Sequence, residues 1–213
     1  GQFMTPAPVA QFMASLFRSP QKILRLLDAG AGVGSLTAAF VAEVCSRRRP
    51  PISLLVTAYE MDPLLVSRLR HTMKQCRAAC EKAGIEFLGE VHAEDFVEAG
   101  SDALSEGLFS AAAKPRFDCA ILNPPYRKVN TASTERAALR RIGVETSNLY
   151  TAFLAIAVKL LADKGEMVAI TPRSFCNGPY FQPFRRLLLD TTSLRRVHLF
   201  ERRDEAFAAD DVL

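Results

Sequence analysis

Apolar positions along the chain fall into two alternating patterns. Short apolar runs of strand length occupy residues 23–27, 53–59, 86–91, 117–122, 167–171 and 196–200. Between them, apolar residues recur at helical spacing over residues 6–17, 35–47, 64–82, 149–161 and 183–189, and a weaker helical pattern lies near 100–114. Strands that alternate with helices in this way predict an α/β protein with a mostly parallel, twisted sheet and helices on both faces.

A glycine-rich turn follows the first predicted strand. Residues 28–34 have the sequence Asp-Ala-Gly-Ala-Gly-Val-Gly, and glycines permit the positive φ angles and the close backbone approach that a bound ligand requires. Because ligands of parallel α/β sheets bind at the carboxyl ends of the strands, this turn predicts a nucleotide-like cofactor. The spacing departs from the dinucleotide pattern Gly-x-Gly-x-x-Gly, which leaves S-adenosylmethionine as an alternative to a dinucleotide.

Acidic residues follow the second and third predicted strands. Glu60, which precedes Met61, stands where a carboxylate can accept two hydrogen bonds from a ribose diol. Asp95 and Phe96 offer an acceptor for an adenine amino group and a face for its ring. Taken singly, Glu60 is better explained as a solvated strand end and Asp95 as a helix cap. Candidate sites at three successive strand ends instead favour one cofactor pocket.

The fourth predicted strand ends at Asn123-Pro124-Pro125-Tyr126, the most specific chemical signal in the chain. Two consecutive prolines hold the backbone extended and remove two donors, so carbonyl oxygens are free to face a cavity. The Asn123 side-chain oxygen and the Pro124 carbonyl can then accept both hydrogens of a planar amino group. This draws the lone pair of the amine toward a methyl donor, so orientation and local electrostatics supply the catalysis. Tyr126 offers a π face on which an extruded base can stack.

Composition narrows the class of protein further. With 213 residues, 49% hydrophobic and 23% charged, the chain can form one domain with a substantial core. The net charge of +4 suits a polyanionic partner, although only weakly. Five cysteines without CxxC spacing and three scattered histidines predict reduced thiols and no metal site. The most apolar stretch, residues 149–162, contains Lys159 and is too short to span a bilayer, so we expect a soluble, cytoplasmic protein.

These motifs resemble those of the adenine-specific amino-methyltransferases of restriction–modification systems, in the group whose cofactor motifs precede Asn-Pro-Pro-Tyr. The resemblance covers nearly the whole chain. It implies the class I S-adenosylmethionine-dependent methyltransferase fold, with S-adenosylmethionine as the cofactor. It also implies methyl transfer to the exocyclic amino group of a flipped adenine in double-stranded DNA, in a prokaryotic cytoplasm and in association with the nucleoid.

The resemblance also assigns roles to particular residues. Asn123 to Tyr126 are the catalytic motif, residues 148–153 are the family helix behind the site, and residues 1–18 cover the methionine part of the cofactor. Phe207 matches the aromatic residue that covers the other face of the flipped base, and it is also a core candidate. The implied cofactor-binding residues are Phe3, Thr5, Asp28, Ala29, Gly30, Gly32, Gly34, Glu60, Met61, Asp95 and Phe96.

The chain is expected to be a single catalytic domain, residues 1–213, within a longer protein. It does not begin with Met, and it ends at Asp-Asp-Val-Leu, where an apolar run starts. The final antiparallel strand of the family fold and a target-recognition domain or subunit are therefore expected outside this sequence.

A basic connection follows the catalytic motif. We predict that residues 127–147 form a long loop, and its cations are Arg127, Lys128, Arg136, Arg140 and Arg141. Charge runs are usually solvated. Beside a site for an extruded base, however, contact with DNA phosphates is about as plausible, and such contacts position a duplex without reading its sequence.

Three other functions remain open at this point. Asn-Pro-Pro-Tyr also occurs in methyltransferases of the glutamine amide of peptide release factors, and an RNA guanine amino-methyltransferase is possible on similar grounds. The release-factor enzymes usually have a separate helical N-terminal domain and lack both the Gln-Phe-x-Thr-Pro opening and a long basic insertion. A non-catalytic nucleic-acid-binding module is the third alternative, against which the intact motifs argue.

Overall fold

The computed structural model describes residues 4–109, 116–130, 133–146 and 148–200. In chain order its elements are α1 (Ala7–Ala14), β1 (Ile23–Ala29), α2 (Ser35–Cys45), β2 (Ser53–Tyr59), α3 (Pro63–Lys82), β3 (Glu86–His92), α4 (Phe96–Phe109), β4 (Phe117–Leu122), α5 (Thr134–Arg141), α6 (Leu149–Leu160), β5 (Leu161–Ala169), a short 3₁₀ helix (Arg173–Cys176) and α7 (Gln182–Thr191). The described residues therefore alternate strands and helices, as the apolar pattern predicted.

The strands form one five-stranded sheet in the order β3-β2-β1-β4-β5, with every pair parallel. β4 is buried at all its positions, and β1 is buried from Leu26 to Ala29. Such continuous apolar runs are typical of central strands that are covered on both faces. Strand order and direction agree with the predicted mostly parallel α/β sheet.

Two apolar cores lie on opposite faces of this sheet. One contains Leu24 and Leu26 of β1 together with residues of α1, α2 and α3. The other contains Leu27 and Ala29 of β1 together with residues of α4, α5, α6 and α7. Because side chains alternate along a strand, one strand contributes to both cores and holds the two helix layers against the sheet.

The predicted sixth strand at residues 196–200 is wrong, because this stretch is described and forms no strand. Val197 and Leu199 are 62% and 64% exposed, and no described strand pairs with them. A β-rich sequence becomes a strand only when a neighbouring strand supplies its hydrogen bonds and its packing, so the alternating pattern alone was insufficient.

The fifth strand begins six residues earlier than residue 167, directly at the end of α6. Lys164 and Gly165 lie inside β5, at an irregularity in its pairing with β4. Lys164 adopts a φ of 63° there. A positive φ and a following glycine are typical of a bulge, which the apolar pattern does not distinguish from a turn.

Residues 127–147 do not form one long loop, because α5 occupies their centre. Ser133 caps this helix by accepting a hydrogen bond from the backbone N–H of Arg136 (3.3 Å). Ala138 and Leu139 are its buried positions. Because α5 contains few apolar residues among many charged ones, its helical periodicity is too weak to be predicted from the sequence. No helix among the described residues is long and apolar enough to cross a membrane.

Candidate active site

The carboxyl ends of four strands meet at one level of the sheet. Ala29 pairs with Tyr59 and with Leu122, and Tyr59 pairs with His92. The residue that follows each strand therefore emerges at the same edge. For β1 and β2 these residues are Gly30 and Glu60. For β4 the residue is Asn123, so the sheet register places the predicted cofactor loop beside the predicted catalytic motif, as expected for a switch-point site.

The glycine loop has the left-handed backbone that its sequence predicted. Gly30, Gly32 and Gly34 have φ angles of 72°, 58° and 88°. The N–H groups of Gly30 and Ala31 both donate to the carbonyl of Tyr59 at 2.9 Å, which ties the loop to β2. A Cβ on Gly34 would lie 2.9 Å from Cδ1 of Leu69, whereas one on Gly32 would have no atom within 4 Å. The loop therefore packs tightly at Gly34 and leaves open space at Gly32.

Asp28, the first residue of the glycine-rich turn, is fully buried. Its Oδ2 accepts a 2.6 Å hydrogen bond from the Thr37 hydroxyl of α2, while Oδ1 is buried without a hydrogen-bond partner. Burial raises the pKa of Asp28 to about 7 against the lowering effect of Thr37, and the nearby Glu60 raises it slightly further. An unpaired buried acceptor of this kind suits a cationic ligand group.

Glu60 is only 2% exposed and braces the glycine loop. Its Oε2 accepts from the N–H of Gly32 at 2.9 Å, and its Oε1 accepts from the N–H of Asp62 at 2.8 Å. The alternative explanation of Glu60, a solvated strand end, is thus wrong. Each carboxylate oxygen keeps a further lone pair, so the bracing contacts leave acceptor capacity for hydroxyl groups. Met61 beside it is 59% exposed.

Asp95 and Phe96 lie at the start of α4. Asp95 caps the helix, with Oδ1 accepting from the N–H groups of Val97 (2.7 Å) and Glu98 (3.2 Å). Burial is the main cause of its raised pKa. Phe96 is 2% exposed and packs between the rings of Tyr59 and Phe153, so the structure places it in the core. The explanation of Asp95 as a helix cap is confirmed. The contact of Asp95 with the cofactor stays a prediction.

Asn123 is held by a residue distant in sequence. Its Nδ2 donates to the hydroxyl of Thr5 at 3.0 Å. Its Oδ1 faces the hydroxyl of Tyr126 at 3.1 Å, and that hydroxyl also lies 3.2 Å from the carbonyl oxygen of Ile170. Asn123 is half-buried, Pro124 is buried, and Tyr126 is 36% exposed. The amide is therefore oriented on both sides before any substrate arrives.

The N-terminal half of α6 packs against this site, as the resemblance implied. A Cβ on Gly30 would lie 3.3 Å from the ring of Phe153. The Tyr150 ring meets Tyr126 edge-on with centroids 6.2 Å apart. The helix thus supports both the glycine loop and the aromatic residue of the catalytic motif.

The five basic residues predicted to contact DNA phosphates divide into those that have a partner within the protein and those for which none is found. Arg127 pairs with Glu135 at 2.8 Å, and Arg141 pairs with Asp102 at 2.8 Å. Arg136 donates to the carbonyl of Thr146. Among the described residues, no hydrogen-bonding or ion-pair partner is found for the side chains of Lys128 and Arg140.

The remaining site predictions have mixed outcomes. Phe3 and Phe207 lie outside the described residues. Thr5 is described, but its hydroxyl contacts Asn123, a contact for which the sequence contains no signal. Thr37 was also missed as the partner of Asp28, although its position in the first turn of the helix after the glycine loop is compatible with that contact. No group of metal-binding side chains forms among the described residues.

Comparison with solved structures identifies the class of fold. The chain is similar to the methyltransferase subunit of a type I restriction–modification system from Streptococcus thermophilus, with a TM-score of 0.63 and 23% identity over 89% of this chain and 39% of that one. The fold is thus the class I S-adenosylmethionine-dependent methyltransferase fold, as predicted.

Sequence comparison identifies the family. A family model described as Eco57I restriction-modification methylase matches residues 53–207, so the chain belongs to that family. The whole chain is 44% identical to type II methyltransferase M.PstI of Providencia stuartii and 47% identical to type II methyltransferase M.BsuBI of Bacillus subtilis. It spans 41% and 42% of the lengths of these relatives. The predicted restriction–modification methyltransferase family is therefore confirmed.

Proposed function

We propose that this chain is the catalytic core of an adenine-specific DNA methyltransferase. It binds S-adenosylmethionine at the ends of β1, β2 and β3 and methylates the exocyclic amino group of an adenine flipped out of duplex DNA. The observation that supports this most strongly is the oriented amide of Asn123. It emerges beside the glycine loop, at the same edge of the sheet, with its oxygen and nitrogen engaged by different hydroxyl groups.

The residues at the first three strand ends fit the cofactor chemically. The unpaired buried Oδ1 of Asp28 suits the ammonium group of the methionine moiety. Glu60 retains lone pairs for the ribose hydroxyls, and Gly32 leaves space for close approach of a ligand to the backbone. Asp95 completes the adenine end, together with Met61, which follows Glu60 in the sequence. Bound there, S-adenosylmethionine supplies an electrophilic methyl group on a sulfonium.

Asn123 and Pro124 hold the target amine by accepting its hydrogens. The Asn123 side-chain oxygen takes one N–H and the Pro124 carbonyl takes the other, so the nitrogen lone pair is turned toward the methyl donor. Neither group needs to remove a proton before methyl transfer, because the proton leaves the nitrogen afterwards. The catalytic contribution is orientation together with stabilisation of the positive charge that develops on the amine.

Tyr126 has a different contact in the free protein from the one that the reaction needs. Its hydroxyl approaches Oδ1 of Asn123, the atom assigned to the target amine. The arriving amino group replaces this hydroxyl, and the ring then becomes available to stack on the extruded base. At 36% exposure and at the end of a proline-stiffened turn, Tyr126 is accessible for this exchange.

DNA is favoured over the other substrates by the family. Membership of a restriction–modification methylase family, and relatives named as type II methyltransferases, support DNA over a protein amide or RNA guanine. Because the chain spans less than half of these relatives, residues elsewhere in the natural polypeptide or in a partner subunit are proposed to choose the DNA sequence. The buried Glu60 brace, the left-handed glycine loop and the oriented Asn123 argue against a non-catalytic module.

Two measurements test this function. Calorimetric titration with S-adenosylmethionine is expected to show binding, and absence of binding would defeat the enzyme hypothesis in favour of the non-catalytic module. The natural polypeptide should then transfer label from the methyl-labelled cofactor to duplex DNA. Parallel reactions with RNA and with a release factor test the alternative substrates. Label that appears in RNA or in the release factor but not in DNA would overturn the choice of DNA.

A further inference from the structure

We propose that Thr5 is a positioning residue for the reaction: its hydroxyl accepts a hydrogen bond from Nδ2 of Asn123 and so anchors the amide while Oδ1 faces the target base. This inference rests on the proposed function, because it concerns how the catalytic amide is oriented. It also differs from the cofactor contact that sequence resemblance implied for Thr5.

The contact between Thr5 and Asn123 is well defined. Nδ2 of Asn123 lies 3.0 Å from Oγ1 of Thr5, and the two residues are 118 positions apart. Thr5 is 8% exposed and directly precedes Pro6, whose φ of −58° and ψ of 147° fix the chain just before α1. Both partners are thus attached to restrained backbone, one at the start of α1 and the other at the end of the buried β4.

The side-chain amide of asparagine needs such a contact because its two ends are nearly identical in shape. A half-turn about its terminal torsion exchanges the oxygen and the NH₂ group with little steric change. An Asn123 amide turned in this way would present N–H groups to the amino group of the base. Two donors facing each other repel, so the N–H groups of the base favour the orientation in which Oδ1 faces them. The Thr5 hydroxyl, which accepts from Nδ2 in that orientation, then fixes the plane of the amide.

Thr5 engages the end of the amide that substrate does not use. The Tyr126 hydroxyl lies at Oδ1 and must leave when the target amine arrives. The Thr5 hydroxyl lies at Nδ2 and stays in place while the base is bound. Thr5 therefore continues to orient the amide through methyl transfer, whereas Tyr126 orients it only in the free protein.

The test compares Thr5→Val, which removes the hydroxyl but keeps the shape, with Thr5→Ser, which keeps the hydroxyl. Removal of one neutral hydrogen bond predicts that Thr5→Val lowers kcat by about tenfold at saturating cofactor and DNA. Because the contact acts on Asn123, the Kd for S-adenosylmethionine should change by less than about twofold. Thr5→Ser should restore kcat to within about twofold of the natural enzyme.

The controls separate positioning from packing. Thr191→Val removes a hydroxyl that donates within α7, to the carbonyl of Leu187 at 2.6 Å, and should leave both kcat and Kd unchanged. If Thr5→Val does not fold, as judged by circular dichroism, Thr5→Ala replaces it. All variants are measured in the natural polypeptide.

Three outcomes would overturn the inference. The first is an unchanged kcat in Thr5→Val, and the second is a raised cofactor Kd with kcat intact, which would make Thr5 a cofactor contact only. The third is an equal decrease of kcat in Thr5→Val and Thr5→Ser, which would indicate packing. None of these three outcomes contradicts the proposed function, provided that Asn123→Ala is inactive. Activity in Asn123→Ala would instead remove the proposed function itself.

Discussion

The proposed cofactor side and the proposed substrate side of this site are built in different ways. On the cofactor side, Asp95 accepts hydrogen bonds from N–H groups two and three residues later in the sequence, and Asp28 accepts one from a hydroxyl nine residues later. Glu60, at the end of β2, accepts one from an N–H of the glycine loop, which follows the adjacent strand β1. On the substrate side, Asn123 depends on a residue 118 positions away, and the hydroxyl of Tyr126 lies against a carbonyl 44 positions away.

This difference separates the two tasks that are proposed for the site. The proposed cofactor pocket is formed largely by backbone conformation and by the carboxylates of Asp28 and Glu60, which are at most 2% exposed. The proposed substrate pocket is formed by side-chain orientation around an exposed tyrosine, Tyr126. Changes in the glycine loop should therefore act mainly on cofactor binding and stability, whereas changes at Asn123 should act mainly on catalysis.

The largest expected effect is that of Asn123→Ala. Removal of the oxygen that accepts an amine hydrogen should lower kcat by about 100-fold or more, by analogy with removal of one oriented group that stabilises a transition state. Cofactor Kd should change by less than about twofold, because the residue is assigned to the other side of the site. Single-turnover kinetics and calorimetry measure the two quantities, with exposed Asn177→Ala as the control. A cofactor Kd that rises as much as kcat falls would remove the distinction between the two sides.

Gly34→Ala should show the reverse pattern, with its main effects on stability and on cofactor binding. At a φ of 88°, an added Cβ meets Cδ1 of Leu69 at 2.9 Å and Cγ2 of Thr72 at 3.0 Å. Left-handed strain and crowding together predict a decrease of about 2–3 kcal/mol in the free energy of unfolding and weaker cofactor binding.

Gly143→Ala provides the matched control for Gly34→Ala. Gly143 has a φ of 67°, and an added Cβ has nothing within 4 Å, so strain alone should cost about 1 kcal/mol. Urea unfolding measures both variants. Equal decreases in the two would show that the packing of the glycine loop contributes nothing beyond its backbone conformation.

Asp28 predicts a pH dependence of stability that originates on the cofactor side. Its pKa is raised from 3.8 to about 7 in the folded protein. Between those values the folded carboxyl holds its proton while the unfolded one has released it, so the folded state binds more protons and its stability falls as pH rises. The slope from this group is at most about 1.4 kcal/mol per pH unit. Unfolding free energies of Asp28→Asn should lack this component between about pH 4 and 7, and parallel profiles for the two proteins would contradict the assignment.

The smallest expected effect concerns DNA phosphates beside the substrate side. Replacing both Lys128 and Arg140 with Gln should make the slope of log affinity against log salt shallower by about 1 for each phosphate that is no longer neutralised. Arg141→Gln is the matched control, because Arg141 already pairs with Asp102. Filter binding over a range of salt concentrations measures the slopes. If Arg141→Gln changes the slope and the double variant does not, the assignment of Lys128 and Arg140, rather than Arg141, to DNA phosphates is wrong.

The two sides of the site also differ in how far the sequence could predict them. The glycine loop, Glu60 and the Asn-Pro-Pro-Tyr turn follow strands with strong apolar patterns, and parallel pairing then brings their ends together. The contact of Thr5 with Asn123 depends on how α1 docks on the sheet, which no local pattern encodes. Likewise, α5 depends on a cap at Ser133 and on two buried residues, and the alternating residues 196–200 lack a described strand with which to pair.

The proposed role of the oriented Asn123 amide is to direct methyl transfer to adenine in DNA. The most direct test incubates the natural polypeptide with S-adenosylmethionine and duplex DNA, and then analyses the methylated nucleosides by mass spectrometry. We expect N6-methyladenine with the natural protein and about 100-fold less of it with Asn123→Ala. Methylation of cytosine alone, or equal amounts of N6-methyladenine from the two proteins, would contradict this role.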